Sequence, residues 1–285
     1  MGFGGAVFVI YFAPVVIHYF TPAQRPTVNA LNSCAYNFGA VLALLIVGPI
    51  IAMFQTWQKS MGFFAVISGI LFVLWLVFGE DFELNKATAQ SQETKYSMAD
   101  ALKEKITWLL PLTYSGVLIL YLTLLQLFPR TEEAVISASS LSALSGIGGI
   151  IGTLLAIALS KKYTKRKPVI IVSGLIMTAS AFLMVKTTTP AVAVAAALGT
   201  FMFLPMTSLV MIPQELPNMT PSRLTAIMGV FWAMAYIIET IVFFLFGVLF
   251  DKTGSYSSSI LIAVILSLSF TVGGIFLPET GKSSK

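Results

Sequence analysis

Charge is what this chain has least of. Asp, Glu, Lys and Arg together make up 10% of its 285 residues, against 57% hydrophobic residues. Ordinary soluble domains carry about 25% charged residues, so a water-exposed surface of this size cannot be covered. Cysteine and histidine are nearly absent, with only Cys34 and His18. A disulfide framework or a Cys/His metal cluster is therefore excluded, and no metal or cofactor is expected. The sequence has no nucleophile–base pair and no phosphate-binding Walker A pattern, which argues against an enzyme and against ATP-driven work. Segments of ~10 residues with alternating polarity are also missing, which excludes a transmembrane β-barrel.

In their place are nine apolar stretches: Phe3–Phe20, Ala30–Phe54, Met61–Phe78, Trp108–Phe128, Ala134–Leu159, Pro168–Val185, Pro190–Ile212, Leu224–Phe250 and Ile260–Leu277. Each is long enough to cross a bilayer as a helix, which takes roughly 17–25 residues. The expected fold class is an all-α polytopic membrane protein, with the lipid bilayer as its first partner. The polar segment Glu80–Ile106 divides the spans three and six. The expected organisation is a three-helix bundle part over 1–79, a linker over 80–107 and a six-helix bundle over 108–285.

The net charge of +5 does not imply nucleic acid, because the basic residues sit in short loops between spans. One set of alternate loops holds Arg25, four linker lysines, the cluster between Lys161 and Lys167, Arg223 and the tail lysines. The other set holds only Lys59, Arg130, Lys186 and Lys252. The positive-inside rule then puts the first set and the C-terminus in the cytoplasm, with the plasma (inner) membrane as the expected location.

The segment Leu159-Ser-Lys-Lys-Tyr-Thr-Lys-Arg-Lys167 resembles the signature loop of the major facilitator superfamily, in which a Gly, an Asp-Arg pair and a second Gly precede a basic cluster. Lys162, Lys165, Arg166 and Lys167 keep the basic cluster, while Ile157, Lys161 and Thr164 stand where the family has Gly, Asp and Gly. With those replacements the loop's charge-relay role is not carried over. Gly247-Val-Leu-Phe-Asp-Lys-Thr-Gly-Ser-Tyr256 is similar to the family's exit from its eleventh helix, and Leu277-Pro-Glu-Thr-Gly281 to its ending past the twelfth. Order and spacing fit the family along essentially the whole chain, beginning at the family's fourth helix. The resemblance implies two helical bundles, alternating access to a small-molecule substrate, and a monomer. It also implies that the family's first three helices lie outside this sequence. A truncated or inactive chain, or a non-transporting receptor or scaffold, are the alternatives.

Within the spans, Glu239 stands near the middle of Leu224–Phe250, where a charge costs several kcal/mol unless paired or wetted. Trp232, Tyr236 and Glu239 share one helical face at spacings of four and three. The stripe could hold a cation, or Glu239 could carry protons that couple to transport; alternatively Glu239 is a protonated packing group. Asn32, Tyr36 and Asn37, and Tyr114 with Tyr121, are further candidates for lining a substrate or proton path or for interhelical hydrogen bonding. Pro205 is expected to bend its helix. The set Gly146-Ile-Gly-Gly-Ile-Ile-Gly152 is expected to serve close helix packing. Pro213–Pro221, with three prolines, is expected to be a loop.

Overall fold

The computed structural model describes residues 12–78, 96–131, 134, 136–186 and 191–281, apart from the side chains of Leu44 and Lys161. Among the described residues the structure is helical throughout, with no strand. The helices are α1 (12–19), α2 (Arg25–Phe54), α3 (Trp57–Phe78), α4 (Met98–Ala101), α5 (Lys105–Gln126), α6 (Ala138–Lys162), α7 (Lys167–Lys186), α8 (Ala191–Phe203), α9 (Met206–Gln214), α10 (Pro221–Thr253), α11 (Ser257–Leu266) and α12 (Leu268–Phe276). Among the described residues, taking α8 with α9 and α11 with α12, eight stretches are long and apolar enough to cross a membrane. The first expected span, Phe3–Phe20, lies outside the described residues up to position 11, as do residue 79 and residues 80–95 of the linker.

Local chemistry sets the helix ends. Thr220 caps α10 by accepting from the Arg223 N–H at 3.2 Å, and Pro221 follows at the first helical position, where its missing N–H costs nothing. Gly254 ends the same helix at φ 69°, the left-handed conformation that glycine adopts without strain. Ser137 caps α6, so Ala134 precedes that helix rather than starting it.

Prolines and serines break two spans differently from expectation. Pro205 separates α8 from α9, as the missing N–H and bulky ring require. Pro213, expected in a loop, lies inside the last turns of α9, and the loop is confined to the residues between Gln214 and Pro221. The span expected as Ile260–Leu277 is interrupted at Ser267. There the hydroxyl contacts the Val264 carbonyl at 2.6 Å and the Thr178 hydroxyl at 2.7 Å. Side-chain competition of this kind is not visible in a hydropathy profile.

By their contacts the residues form two compact units, Met1–Phe38 with Tyr96–Lys285, and Gly39–Lys95. The boundary falls inside α2, although the sequence pattern assigns all of 1–79 to one bundle. The first half of α2 carries Asn29, Tyr36 and Asn37, whose partners lie on later helices: Gln214, Phe203 and Gly149. In the smaller unit the rest of α2 turns through Gln55 (φ 60°) into α3. Ser60 donates to the Thr56 carbonyl at 3.0 Å, and Phe54 meets Phe63 at 5.6 Å between ring centroids.

In the larger unit α5 is packed against α10 and α12, and α8 against α6 and α7. The α6–α8 pair is the tightest. A Cβ at Gly148 or Gly152 would overlap the Ala196 or Thr200 carbonyl, and one at Gly199 the Ser145 carbonyl. Bare glycine backbones let the two helices touch, which van der Waals attraction rewards where lipid removes the hydrophobic drive.

Candidate functional site

A cavity of about 420 Å³ lies within the larger unit, in the size range of small-molecule sites, roughly 300–1,000 Å³. Its wall is assembled from α1, α2, α5, α8, α9 and α10. Six of the eight expected path residues line it: Asn32, Tyr36, Tyr114, Tyr121, Trp232 and Tyr236. Their sequence spacings explain why. Tyr114 and Tyr121 stand seven apart on α5, and Trp232 and Tyr236 four apart on α10, so each pair presents one face.

The rings form two aromatic clusters in the wall. Trp232 meets Tyr114 edge-on at 5.6 Å and stacks on Tyr236 at 6.0 Å. Phe203 connects the remaining two, at 6.3 Å from Tyr36 and 6.0 Å from Tyr121. Such offset and edge-to-face pairs add stability beyond area burial, about 0.5–1.5 kcal/mol each.

Two expected path residues stand elsewhere. Asn37 is 1% exposed, donates to the Ser33 carbonyl at 2.9 Å and is pressed against the bare backbone of Gly149. Glu239, one turn beyond Tyr236 on α10, is half-buried and is not part of the cavity lining. Among the described residues it has no hydrogen-bond or ion-pair partner.

Other lining residues carry no prior signal in the sequence. Asn29, 4% exposed, forms an amide pair with Gln214, donating from Nδ2 to Oε1 at 3.1 Å, and also reaches the Met211 sulfur at 3.2 Å. Gln214 Nε2 returns a longer contact of 3.4 Å to Asn29 Oδ1. Thr207 and Trp232 each hold a buried polar atom, Oγ1 and Nε1, without a partner among the described residues. Asn29 was hidden in sequence because it lies ahead of the apolar run beginning at Ala30, and Gln214 because its segment looks like a proline-rich loop.

The signature-like loop sits apart from the cavity. Lys162 lies over the ring of its neighbour Tyr163 at 5.7 Å, and Lys165 follows in the loop between α6 and α7. Lys161 has no described side chain. Arg166 is the one drawn inward: it is 7% exposed and pairs with Glu215. Its backbone N–H and that of Lys167 donate to Glu279 at 2.7 and 3.2 Å, so the tail acid caps the start of α7. Lys167 Nζ donates to the Ile275 carbonyl at 2.7 Å. A second cluster joins Glu104, at the start of α5, to Arg223 and to the Tyr96 hydroxyl. Hydrogen bonding from Arg223 holds the Glu104 carboxyl below its ordinary pKa. Burial first, and then the Glu104 hydrogen bond, push Tyr96 up to about 12.

Comparison with known proteins agrees with this architecture. An uncharacterized protein of Campylobacter jejuni subsp. jejuni is 25% identical over 182 residues, 61% of this chain and 56% of the relative. The chain thus matches little more than half the length of that relative. The crystal structure of the E. coli fucose:proton symporter FucP matches with a TM-score of 0.68 at 15% identity, covering 96% of this chain and 74% of the symporter. A second FucP structure, in the outward conformation, gives 0.67 at 14%, covering 95% and 73%. The profile of the Major Facilitator Superfamily matches residues 1–238, and the chain is a member of that family, an integral membrane protein of all-α fold.

Proposed function

We propose that the protein is a secondary active transporter that moves a small solute by alternating access, with the cavity of Tyr36, Tyr114, Tyr121, Trp232 and Tyr236 as its solute site. The observation that carries this is the composition of the wall: residues on either side of the linker converge on one cavity. Such a site, shared between helices of two bundles, is what rocking one bundle against the other would open alternately. The family favours transport over an enzyme. The linker 80–107 is cytoplasmic in this scheme, as is the C-terminus, and the unit is a monomer in the inner membrane.

Glu239 is the proposed proton carrier. It stands one turn from the aromatic wall on the same helix face, and an intramembrane carboxyl is costly to keep without a role. Similarity of fold to a fucose:proton symporter is in keeping with proton coupling. The experiment is solute accumulation in proteoliposomes of the purified protein under an imposed pH gradient. A panel of small solutes is expected to include one that accumulates, and Glu239→Gln is expected to retain exchange but lose gradient-driven accumulation. Unchanged accumulation in the variant removes Glu239 from coupling, and a panel in which nothing moves counts against transport.

A further inference from the structure

The cavity is graded in chemistry. On α2, Asn29, Asn32 and Ser33 precede Tyr36 by up to seven residues, about 10 Å along the helix axis. Asn29 is anchored by Gln214, so the amide end is fixed in place. Beyond it come the ring faces of Tyr36, Tyr114, Tyr121, Trp232 and Tyr236. Amides and hydroxyls supply hydrogen bonds at one end, and rings supply apolar surface toward the other.

Two wall residues have a polar atom left over. The indole Nε1 of Trp232 can only donate, and the Thr207 hydroxyl can donate as well. Both atoms are closed off from the cavity space, so the polar side chains that a solute can meet at the amide end are the exposed Asn32 and the half-buried Ser33. The described lining holds neither carboxylate nor cation. Arg25, one turn before Asn29, is turned away, donating to the Phe20 and Ile17 carbonyls at 3.2 Å each. A charged solute entering here gives up its hydration and meets only dipoles and ring faces. Ring faces return part of that cost to a cation and none to an anion.

We infer that the site takes an uncharged amphipathic solute, one that offers a hydrogen-bonding group (hydroxyl, ether or carbonyl oxygen) to Asn32 and Ser33 and lays an apolar face on the tyrosine wall. This rests on the cavity being the solute site of the proposed transporter. It sets aside the alternative that the aromatic stripe of α10 cages a cation.

The test uses three probes of nearly equal size built on one ring: nicotinamide (neutral), 1-methylnicotinamide (cation) and nicotinate (anion). Binding of each to the purified full chain in detergent is measured by equilibrium dialysis. Nicotinamide is expected to bind at least about tenfold more tightly than either ion, and Asn32→Leu and Ser33→Ala each to weaken it about fivefold or more. Thermal unfolding of the variants, measured alongside, reports whether they fold. Binding of either ion as tight as that of nicotinamide overturns the inference. So does a lack of nicotinamide binding up to about 10 mM, or full binding by both folded variants. Because dialysis measures no flux, preference for the neutral probe with no uptake into proteoliposomes upholds the solute class and counts against transport. A charged preference with uptake intact does the reverse.

Discussion

Arg166 and Glu215 meet through two parallel hydrogen bonds, Nη2 to Oε1 at 2.7 Å and Nε to Oε2 at 3.2 Å, with Arg166 almost wholly buried. Glu215 Oε2 also accepts from the Thr280 hydroxyl at 2.8 Å, and Glu279 caps the backbone around Arg166. Three segments distant in sequence thus meet at one guanidinium: the α6–α7 loop, the end of α9 and the tail.

Arg166→Lys keeps the charge but loses the fork that matches a carboxylate. The expected cost is about 1.5–3 kcal/mol, the range for hydrogen bonds to charged groups. Thermal unfolding in detergent checks it. Removal of Glu215 as well is expected to cost less than the sum of the single changes, because the pair acts as a unit. Additive losses would show that the fork contributes nothing.

The Glu104 cluster sets a pH dependence. Its carboxyl is held below the ordinary value by hydrogen bonds from Arg223, so the folded state binds fewer protons there than the unfolded chain. The stabilisation is present above the unfolded pKa of about 4.3 and is lost as pH falls through the lowered folded value. Melting temperature is therefore expected to drop between roughly pH 5 and 3, and Glu104→Gln to lower the neutral-pH value and flatten that drop. An equally steep drop in the variant would assign the acid sensitivity to other carboxyls.

Much of this fold was legible because lipid imposes one rule: backbone polar groups must be satisfied within the span, so long apolar runs become helices. Trp232 with Tyr236, and Tyr114 with Tyr121, were readable as faces because 3.6 residues per turn fixes their alignment. What periodicity cannot supply is the partner on another helix. Asn37 and Asn32 look equivalent in sequence, yet Gly149 receives Asn37 in the packing while Asn32 lines the cavity. Pro213 was misplaced because proline number suggested a loop, whereas α9 accommodates it near its end. The acid that engages Arg166 lies 49 residues away, beyond the reach of any local motif.

The α6–α8 contact predicts an asymmetry among glycines. Gly152→Ala puts a methyl into the Thr200 carbonyl, and backbone cannot yield as a flexible side chain does. The expected loss is about 1–3 kcal/mol, as for overpacked cores. Gly247→Ala, with nothing within 4 Å of the added methyl, is expected to be neutral or to stabilise by about 0.5–1 kcal/mol through helix propensity. Denaturant unfolding of both variants checks the contrast. A similar response at the two positions would mean that α6 and α8 do not approach as closely as their carbonyls indicate.

The amide pair of Asn29 and Gln214 ties the stability of the cavity wall to recognition. Asn29→Ala leaves the Gln214 amide buried, 3% exposed, with its partner gone. An unsatisfied buried amide costs about 1–3 kcal/mol, more than the hydrogen bond itself contributes. Replacing both partners with apolar groups of similar shape, Asn29→Leu with Gln214→Met, removes the polar groups together and is expected to restore much of that stability. Binding should not recover with it, because the double variant lacks the amide pair that fixes the polar end of the cavity. Stability measured by thermal unfolding and nicotinamide binding measured by dialysis should therefore separate in the double variant. Recovery of both would reduce Asn29 to packing and leave recognition to Asn32, Ser33 and the aromatic wall.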